Sequence, residues 1–322
     1  MKTMVVIPNW NGQEWIQECL DSLLLQTVKS SIVVVDNGSV DNSTQIIEEN
    51  YPTVHLIKLP RNTGFAGGVN VGIKYALNNE ADAVALFNND AIADRNWLKK
   101  LVESLKSNPK IGIATCKLLQ TNKTHFDSTG ECYSIWGMPF PRARNLFDNG
   151  QFDVEEYVFG ASGGASLYRC AMLRVIGIFD EKYFAYYEDV DISFRAQLAG
   201  WKVWYEPKAI AYHRVGATSS KLGGFTRYHA TKNFYLLYAK NMPGWLYWKY
   251  LPLFTLQAVR LCASSILKGG GVAYFKGTLR AIILVPHVMN ERREIQKRRK
   301  ISIRELDKKL YHRRPPKIPI LS

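Results

Sequence analysis

The stretch that decides the fold is VVIPNWNG at residues 5–12, together with VVVDNGSVDNS at residues 33–43. Each begins with a short β-branched run and passes directly into asparagine, aspartate and glycine, which are typical of tight turns. Between them, residues 13–26 carry apolar side chains at helical spacing. A strand, a helix and a second strand in this order predict a βαβ unit and therefore a parallel sheet.

The same alternation continues outward from this unit. Further strands are predicted over residues 54–59, 83–87 and 111–116, with helices starting near residues 41, 66 and 94. After an irregular segment over 117–160, predicted strands at 165–168 and 202–205 enclose a helix over 189–198. We therefore expect an α/β protein with a mostly parallel sheet, and a β-rich insertion or substrate loop in the irregular segment. Beyond residue 225 the sequence is helical, basic and aromatic.

Composition narrows the class of protein. The chain has 322 residues, of which 47% are hydrophobic, so it is neither a disordered chain nor a disulfide-stapled miniprotein. Its net charge of +14 predicts an acidic partner: nucleic acid, an anionic membrane or a phosphorylated substrate. The charge is divided unevenly, since residues 1–200 carry 18 basic and 23 acidic side chains and residues 201–322 carry 24 and 5. Two regions with different partners are expected.

The cysteines and the N-terminal residues indicate the cellular compartment in which the protein is expected. Five cysteines form an odd set without CxxC spacing. The first apolar run ends at Pro8, and this run is too short for a signal peptide. We therefore expect reduced thiols in a cytoplasmic protein.

Polar side chains follow three of the predicted strands. Any one cluster is compatible with an ordinary turn, but the carboxyl ends of parallel strands meet at one edge, where ligands bind. Asp90 in particular could hold a divalent cation that bridges a diphosphate, because Mg²⁺ and Mn²⁺ prefer oxygen ligands. The residues concerned are Pro8, Asn9 and Asn11 after the first strand, Asp36, Asn37 and Ser39 after the second, and Asn88, Asn89 and Asp90 after the fourth.

A glycine-rich segment, RNTGFAGG at residues 61–68, follows the third strand. It is neither GxGxxG nor a P-loop, because GK[ST] does not follow. Its backbone amides could receive phosphate with Arg61 supplying charge, or Gly67 and Gly68 could serve close helix packing. The sequence leaves both readings open.

Two further groups could carry chemistry. YEDVD at residues 187–191 places three acids where a helix begins, although capping needs only one. An aspartate there could accept the proton of an acceptor hydroxyl as a general base. His213 ends a predicted strand and is followed by Arg214, Gly216, Thr218 and Ser219, so it could contact metal or phosphate, or be structural.

Taken together, these segments resemble the family 2 glycosyltransferases of the GT-A fold, and most closely the bacterial rhamnosyltransferase-like branch that builds cell-surface polysaccharides. The resemblance runs from about residue 5 to about residue 241 and rests on the order and spacing of seven motifs. The motifs are VVIPNWNG, VVVDNGSVDNS, RNTGFAGGVNVG, LFNNDAI, GASGGASLYR, YEDVDISFR and YHRVGAT.

The resemblance implies a metal-assisted, inverting transfer of sugar from a nucleotide diphosphate donor. It implies Asp189 as catalytic base, with Asp191 as the alternative base and Glu188 orienting the acceptor beside Gly163 and Gly164. Mg²⁺ or Mn²⁺ would be held by Asp90 and His213, with Asn88 replacing the first acid of the family's DxD motif. The implied nucleotide-sugar residues are Pro8, Asn9, Asn11, Asp36, Asn37, Ser39, Arg61, Asn62, Gly64, Asn70, Asn88 and Asn89.

Three regions are expected. Residues 1–241 would form the GT-A catalytic domain, with a nucleotide-sugar half to about 117 and an acceptor half from about 118. Residues 242–290 predict amphipathic helices in a membrane interface, anchored by aromatic residues such as Trp245 and Trp248; helices packed under the catalytic domain are the alternative. Residues 291–322 hold 12 basic and 4 acidic side chains, as expected of a tail attracted to anionic lipid.

The leading hypothesis is therefore a peripheral enzyme on the cytoplasmic membrane face. It would extend a lipid-linked or cell-surface glycan, with rhamnose from dTDP-rhamnose as the expected donor sugar. A non-catalytic nucleotide-sugar sensor is the second reading. A nucleic-acid-binding protein is the third, suggested by charge alone and without a recognition motif.

Overall fold

The computed structural model describes residues 1–214 and 224–316. The strands are β1 (Thr3–Asn9), β2 (Ser31–Asp36), β3 (His55–Lys58), β4 (Ala83–Phe87), β5 (Ala91–Ala93), β6 (Ile111–Gln120), β7 (Phe126–Ser128), β8 (Glu131–Tyr133), β9 (Pro139–Pro141), β10 (Glu156–Val158), β11 (Ala165–Arg169) and β12 (Lys202–His213). The helices are α1 (Ile16–Leu24), α2 (Ser43–Asn50), α3 (Gly64–Asn78), α4 (Trp97–Ser107), α5 (Cys170–Ile176), α6 (Glu188–Leu198), α7 (Phe225–Asn241), α8 (Gly244–Leu267), α9 (Gly271–Ile283), α10 (Val285–Lys297) and α11 (Ile303–Lys309).

One large sheet organises these elements. Its main path runs β10-β12-β6-β11-β4-β1-β2-β3, with β5 added to β12 and β7 added to β6. The pairs β1–β2, β1–β4, β2–β3 and β6–β12 are parallel, whereas β11 runs antiparallel between β4 and β6. The expected mostly parallel α/β architecture is confirmed, and the carboxyl ends of β1, β2 and β4 meet at one edge.

Helices cover both faces of this sheet. On one face α1 and α4 bury Leu20, Trp97 and Leu101 against Phe87. On the other face α3, α5 and α6 pack on the opposite side chains of the same strands. The approach of α3 to β1 requires a glycine, because a Cβ at Gly72 would lie 2.3 Å from Val6 Cγ1. The continuous β-branched runs are thus strands buried on both faces, as a parallel sheet requires.

The largest differences from the sequence-based expectation lie in the second half of the sheet. The predicted strands at 111–116 and 202–205 are longer, since β6 and β12 extend to Gln120 and His213. They pair with one another along most of this length, which hydrophobic periodicity alone does not reveal. The irregular segment does contain β-structure, in the form of the three-residue strands β7 to β10.

The C-terminal helices pack on α6 and on the segment around β8. Their buried side chains, including Phe234 and Leu306, join Tyr133 and Phe194 in one apolar cluster. The chain then returns to the insertion, where the Tyr311 amide donates to the Tyr133 carbonyl at 2.9 Å. By length and composition α8 meets the requirements for a membrane span, and only 17% of its most apolar window is buried against the rest of the described chain.

Candidate active site

A cavity of about 380 Å³ opens beyond the carboxyl ends of β1, β2 and β4. The insertion, the loop before β11 and the start of α6 form its other walls. Of the residues singled out from the sequence, twelve line it: Pro8, Asn37, Asn62, Gly64, Asn88, Asn89, Asp90, Gly163, Gly164, Glu188, Asp189 and His213. The structure therefore brings the predicted donor, acceptor, metal and base residues to one place.

A second group of predicted residues lies behind the cavity wall. Asn9 Nδ2 donates to Asp36 Oδ1 at 3.0 Å and to Ser43 Oγ at 2.9 Å, and Asn9 Oδ1 accepts from Asn89 Nδ2 at 2.8 Å. Ser39 Oγ accepts from the Asn11 amide at 2.9 Å. Asn9 and Asp36 are buried and lie outside the cavity lining, so their observed contact with the site is through Asn89. Arg61 and the remaining members, Asn11 and Ser39, also lie outside the lining.

Asn70 was expected in the nucleotide pocket, and the structure contradicts this expectation. It is buried on α3, where its Nδ2 donates to the Phe179 carbonyl at 2.8 Å and its Oδ1 accepts from the Phe179 amide at 3.0 Å. The side-chain nitrogen and oxygen of Asn70 are thus both hydrogen-bonded to the loop that contains Phe179. Asn70 holds that loop and does not line the cavity.

The side chain of Asn37 fixes the part of the cavity wall that residues 62–64 form. Its Oδ1 accepts from the Thr63 amide at 2.8 Å, and its Nδ2 donates to the Gly64 carbonyl at 2.9 Å. Gly64 has a φ of +78°, and a Cβ there would lie 2.4 Å from the Phe184 carbonyl oxygen. The glycine-rich segment is therefore held in a conformation that favours glycine, at the start of a helix.

His213 connects a carboxylate on each side. Its Nδ1 lies 2.8 Å from Asp127 Oδ2, and its Nε2 lies 3.1 Å from both Asp90 Oδ1 and Asn88 Nδ2. Burial lowers the pKa of His213, but hydrogen bonds to Asp127 and Asp90 outweigh this and raise the pKa to about 10. Asp127 also pairs with Arg144. This arrangement leaves Nε2 directed toward Asp90 while Asp127 orients the ring.

Three further carboxyl groups, those of Glu131, Glu188 and Asp189, also line the cavity. Asp189 Oδ2 accepts from the Gly163 amide at 3.0 Å, and Oδ1 accepts from the Val190 amide at 2.8 Å. Burial raises the pKa of Asp189 above its ordinary value, although these amides oppose part of the shift. Burial, reinforced by the charge of Asp189, raises the pKa of both Glu188 and Glu131 well above the ordinary range. A buried acid of raised pKa in a cleft is suited to proton transfer.

Asp191, the alternative base, lies away from the cavity. It is fully buried, and its Oδ2 accepts from Arg195 Nε at 2.9 Å and from Lys240 Nζ at 3.1 Å. Its Oδ1 accepts from Asn241 Nδ2 at 2.8 Å. Two residues along an α-helix turn the side chain by about 200°, so Asp189 and Asp191 face opposite sides of α6. The structure therefore contradicts the expectation that Asp191 could act as base.

Sequence reasoning missed three cavity residues from the insertion: Asp127, Glu131 and Arg144. They follow no periodic pattern, because β7 and β8 have only three residues each. The same holds for the aromatic wall formed by Phe140 and the loop before α6. Of the expected neighbours of His213, residues 215–223 lie outside the described part of the chain.

The fold agrees with the comparisons to known proteins. Residues 4–177 match the Glycosyl transferase family 2, and the chain belongs to this family. The sheet with its flanking helices is the GT-A glycosyltransferase fold, and the protein is a glycosyltransferase.

Among its relatives is the N-acetylglucosaminyl-diphospho-decaprenol L-rhamnosyltransferase of Mycobacterium tuberculosis (strain ATCC 25618 / H37Rv), 26% identical over 284 residues, which cover 82% of this chain and 92% of the relative. The poly-beta-1,6-N-acetyl-D-glucosamine synthase of Staphylococcus aureus (strain COL) is 28% identical over 222 residues, or 67% of this chain and 50% of the synthase. A solved mannosyltransferase from Pyrobaculum calidifontis, PcManGT, in complex with GDP-Man and Mn²⁺, superimposes with a TM-score of 0.55 at 16% identity. That superposition covers 92% of this chain and 85% of PcManGT, and it bears on the fold alone.

Proposed function

We propose that the protein is an inverting glycosyltransferase. It moves a sugar from a nucleotide diphosphate donor to a hydroxyl of a lipid-linked or cell-surface glycan acceptor. The observation that carries the proposal is the set of functional groups that line one cavity: Asp90 and His213, and Asp189 on the first turn of α6. A direct displacement needs cationic support for the leaving group and a base on the opposite face.

The residues on the donor side fit a divalent cation. Asp90 is buried, and its Oδ1 lies 3.1 Å from His213 Nε2, so a carboxylate oxygen and an imidazole nitrogen are side by side in the cavity lining. Neighbouring ligand atoms of an octahedral ion bound at about 2.1 Å are about 3.0 Å apart. Asp127 would accept the N–H of His213 Nδ1 and so orient the imidazole, as a carboxylate commonly does beside a metal-ligating histidine.

Two protein ligands are few, and within residues 1–214 and 224–316 no group of three or more acidic, histidine or cysteine side chains forms a complete metal site. Mg²⁺ and Mn²⁺ in phosphate-handling sites commonly take one or two protein ligands and complete their coordination with substrate phosphates and water. The bound cation would supply stabilisation of the charge that develops on the leaving diphosphate.

The chain's own groups account for the remaining steps. The Asp189 carboxylate accepts the proton of the acceptor hydroxyl as that oxygen forms its bond to the anomeric carbon. The bond from this carbon to the diphosphate oxygen breaks with its electron pair, and a single displacement inverts the configuration. The amides of Gly163 and Val190 hold the carboxylate in place, and Asn37, Asn62 and Gly64 lie where the nucleotide would bind.

A panel of nucleotide sugars with Mn²⁺ or Mg²⁺ tests the reaction. We expect release of nucleoside diphosphate from one donor, with transfer to an N-acetylglucosaminyl-diphospho-lipid acceptor. dTDP-rhamnose is the first donor to test, because a relative that matches over 82% of this chain is named as an L-rhamnosyltransferase acting on such a lipid. Binding of a nucleotide sugar without turnover under all these conditions would instead favour the non-catalytic sensor.

A membrane surface is the second partner that we propose. The helices α8 and α9 expose a broad apolar face with basic side chains among it, including Lys276 and Arg280. Basic residues near anionic lipid contribute about 1 kcal/mol each, and indole rings favour the headgroup region. Such a face would hold the enzyme on the cytoplasmic surface where a lipid-linked acceptor is accessible. The exposed apolar residues are Trp245, Trp248, Leu256, Val259, Ile266, Leu267, Val272, Phe275, Leu279, Ile282 and Ile283.

Replacing Phe275 with glutamate is expected to weaken binding to phosphatidylglycerol vesicles at least about tenfold, because an apolar contact is lost and a repelled charge is added. Vesicle sedimentation measures this. Phe147→Glu is the matched control, since Phe147 is 57% exposed and Phe275 56%, but Phe147 lies on the insertion. Equal binding by both variants, or no binding by the wild type, would contradict the proposed membrane face.

A further inference from the structure

The segment that leads into α6 has an unusual backbone. Phe184, Tyr186 and Tyr187 have φ angles of 66°, 71° and 69°, the left-handed region that non-glycine residues seldom occupy. Tyr187 is the residue immediately before Glu188, where α6 begins. Strained backbone of this kind persists only where the surrounding structure holds it, and it tends to occur at functional sites. The question is what holds residues 182–187 in this conformation.

Two consecutive side chains on α7 hold this segment by hydrogen bonds to its backbone carbonyls. Asn233 Nδ2 lies 3.0 Å from the Tyr183 carbonyl oxygen, 2.8 Å from that of Ala185 and 2.6 Å from that of Tyr186, so its two N–H groups are shared among three acceptors. Lys232 Nζ donates to the carbonyls of Lys182 at 2.6 Å and Tyr183 at 3.1 Å. Both side chains are buried, at 0% and 4% exposure. We call these two residues, with their five contacts to backbone carbonyl oxygens, the α7 clamp.

The same segment also contacts the donor side of the cavity. The Phe184 carbonyl accepts from the Ala66 amide at 3.1 Å, within the first turn of α3. A Cβ at Gly64 would collide with this carbonyl, so the glycine-rich segment and the strained segment are packed directly together. Residues 182–187 therefore connect the start of α3 with the first turn of α6, which carries Asp189.

We propose that Lys232 and Asn233 are positioning residues, which set Asp189 against the donor pocket through the strained segment 182–187. This inference rests on the proposed function, because it assigns a task to the base of that reaction. The α7 clamp does not reach the cavity through either side chain. It fixes the carbonyls of the segment, and the segment fixes where α6 begins. A displacement of about 1 Å at a reacting group can cost about 100-fold in rate.

Asn233→Ala tests the inference, measured as kcat for nucleoside diphosphate release from the active donor, with acceptor present. We expect kcat to fall about 100-fold while the dissociation constant for the corresponding nucleoside diphosphate with Mn²⁺ is unchanged. Amide hydrogen exchange should become faster at residues 182–189, since the segment loses its partners. The control is Gln26→Ala: Gln26 is also buried and donates to two backbone carbonyls, those of Ser22 and Asp94.

The control variant should lose stability yet retain kcat, which separates positioning from general loss of packing. If Asn233→Ala does not fold, Lys232→Met removes the other two hydrogen bonds but keeps the aliphatic stem, and the same split between kcat and nucleotide affinity is expected. Unchanged kcat in a folded clamp variant, with an active wild type, overturns the inference and leaves the proposed function standing. An inactive wild type overturns both.

Discussion

Replacing Asp189 with asparagine is expected to reduce sugar transfer by about 10²- to 10⁴-fold, the usual contribution of a general base, while nucleotide-sugar binding is retained. Asparagine has the same shape but only one acceptor oxygen, so it keeps the hydrogen bond from one of the two backbone amides, Gly163 or Val190, and loses the other. It cannot accept the proton of the acceptor hydroxyl. Transfer assays on the purified variant, with donor affinity measured by calorimetric titration, check this expectation.

The pH dependence of the wild type provides a second readout. Because burial raises the pKa of Asp189, the carboxylate form is lost as the pH falls through this raised value. The acid limb of the kcat profile should therefore lie above the range of an ordinary aspartate, about pH 3.9. The residual activity of Asp189→Asn should lack this limb. Full turnover by the variant would remove Asp189 as the base.

Asp191→Asn gives the useful contrast. Asp191 is buried between Arg195 and Lys240, and removing one partner of a buried ion pair costs about 3–5 kcal/mol. The expected effect is thus a lower free energy of unfolding, measured by denaturant titration, whereas Asp189→Asn should change stability much less.

The second large effect is expected for Asp90→Asn. Loss of a metal-ligating carboxylate should weaken Mn²⁺ binding by more than the roughly 10- to 100-fold that loss of an outer-sphere partner costs. Turnover should fall at least about 10³-fold, since the cation contributes several kcal/mol to stabilising the leaving diphosphate. Titration of Mn²⁺ in the presence of nucleoside diphosphate measures the first effect, and initial rates measure the second.

Asp94→Asn is the matched control for this change. Asp94 directly follows β5 on the same stretch of chain, but its Oδ1 accepts from the Asn96 amide at 3.1 Å and it does not line the cavity. The control should bind Mn²⁺ and turn over as the wild type does. Equal Mn²⁺ affinity in Asp90→Asn and Asp94→Asn would show that Asp90 is not a ligand.

For residues 1 to about 117, the strands, the helices and the polar clusters could largely be predicted from the sequence. Strand β4 matches the predicted residues 83–87, because a buried parallel strand is a continuous apolar run bounded by turn residues. The clusters at Asn9, Asp36 and Asp90 followed from where such strands end. The sequence could not predict which members of these clusters face the cavity. Asn9 and Asp36 are in fact turned inward and hydrogen-bonded to each other.

The site residues after about residue 118 were harder to predict, for physical reasons. Asp127 and Glu131 lie on three-residue strands whose position depends on long-range pairing rather than on any local pattern. The Asp191 prediction could have been corrected from helical geometry alone, because positions two apart face opposite sides of a helix. The α7 clamp had no local sequence signal, since its four acceptors are backbone carbonyls about 50 residues away along the chain.

The continuous sheet has a consequence for how substrates enter and leave. It runs without a break from β3, beside the donor residues, to β10 in the acceptor half. The two halves share backbone hydrogen bonds, so they cannot swing apart about a hinge as two separate lobes can. Release of the spent nucleotide would therefore have to proceed by local rearrangement around the cavity mouth, without separation of the two halves of the sheet. A variant that loosens one side of the cavity would not be expected to let the whole molecule open.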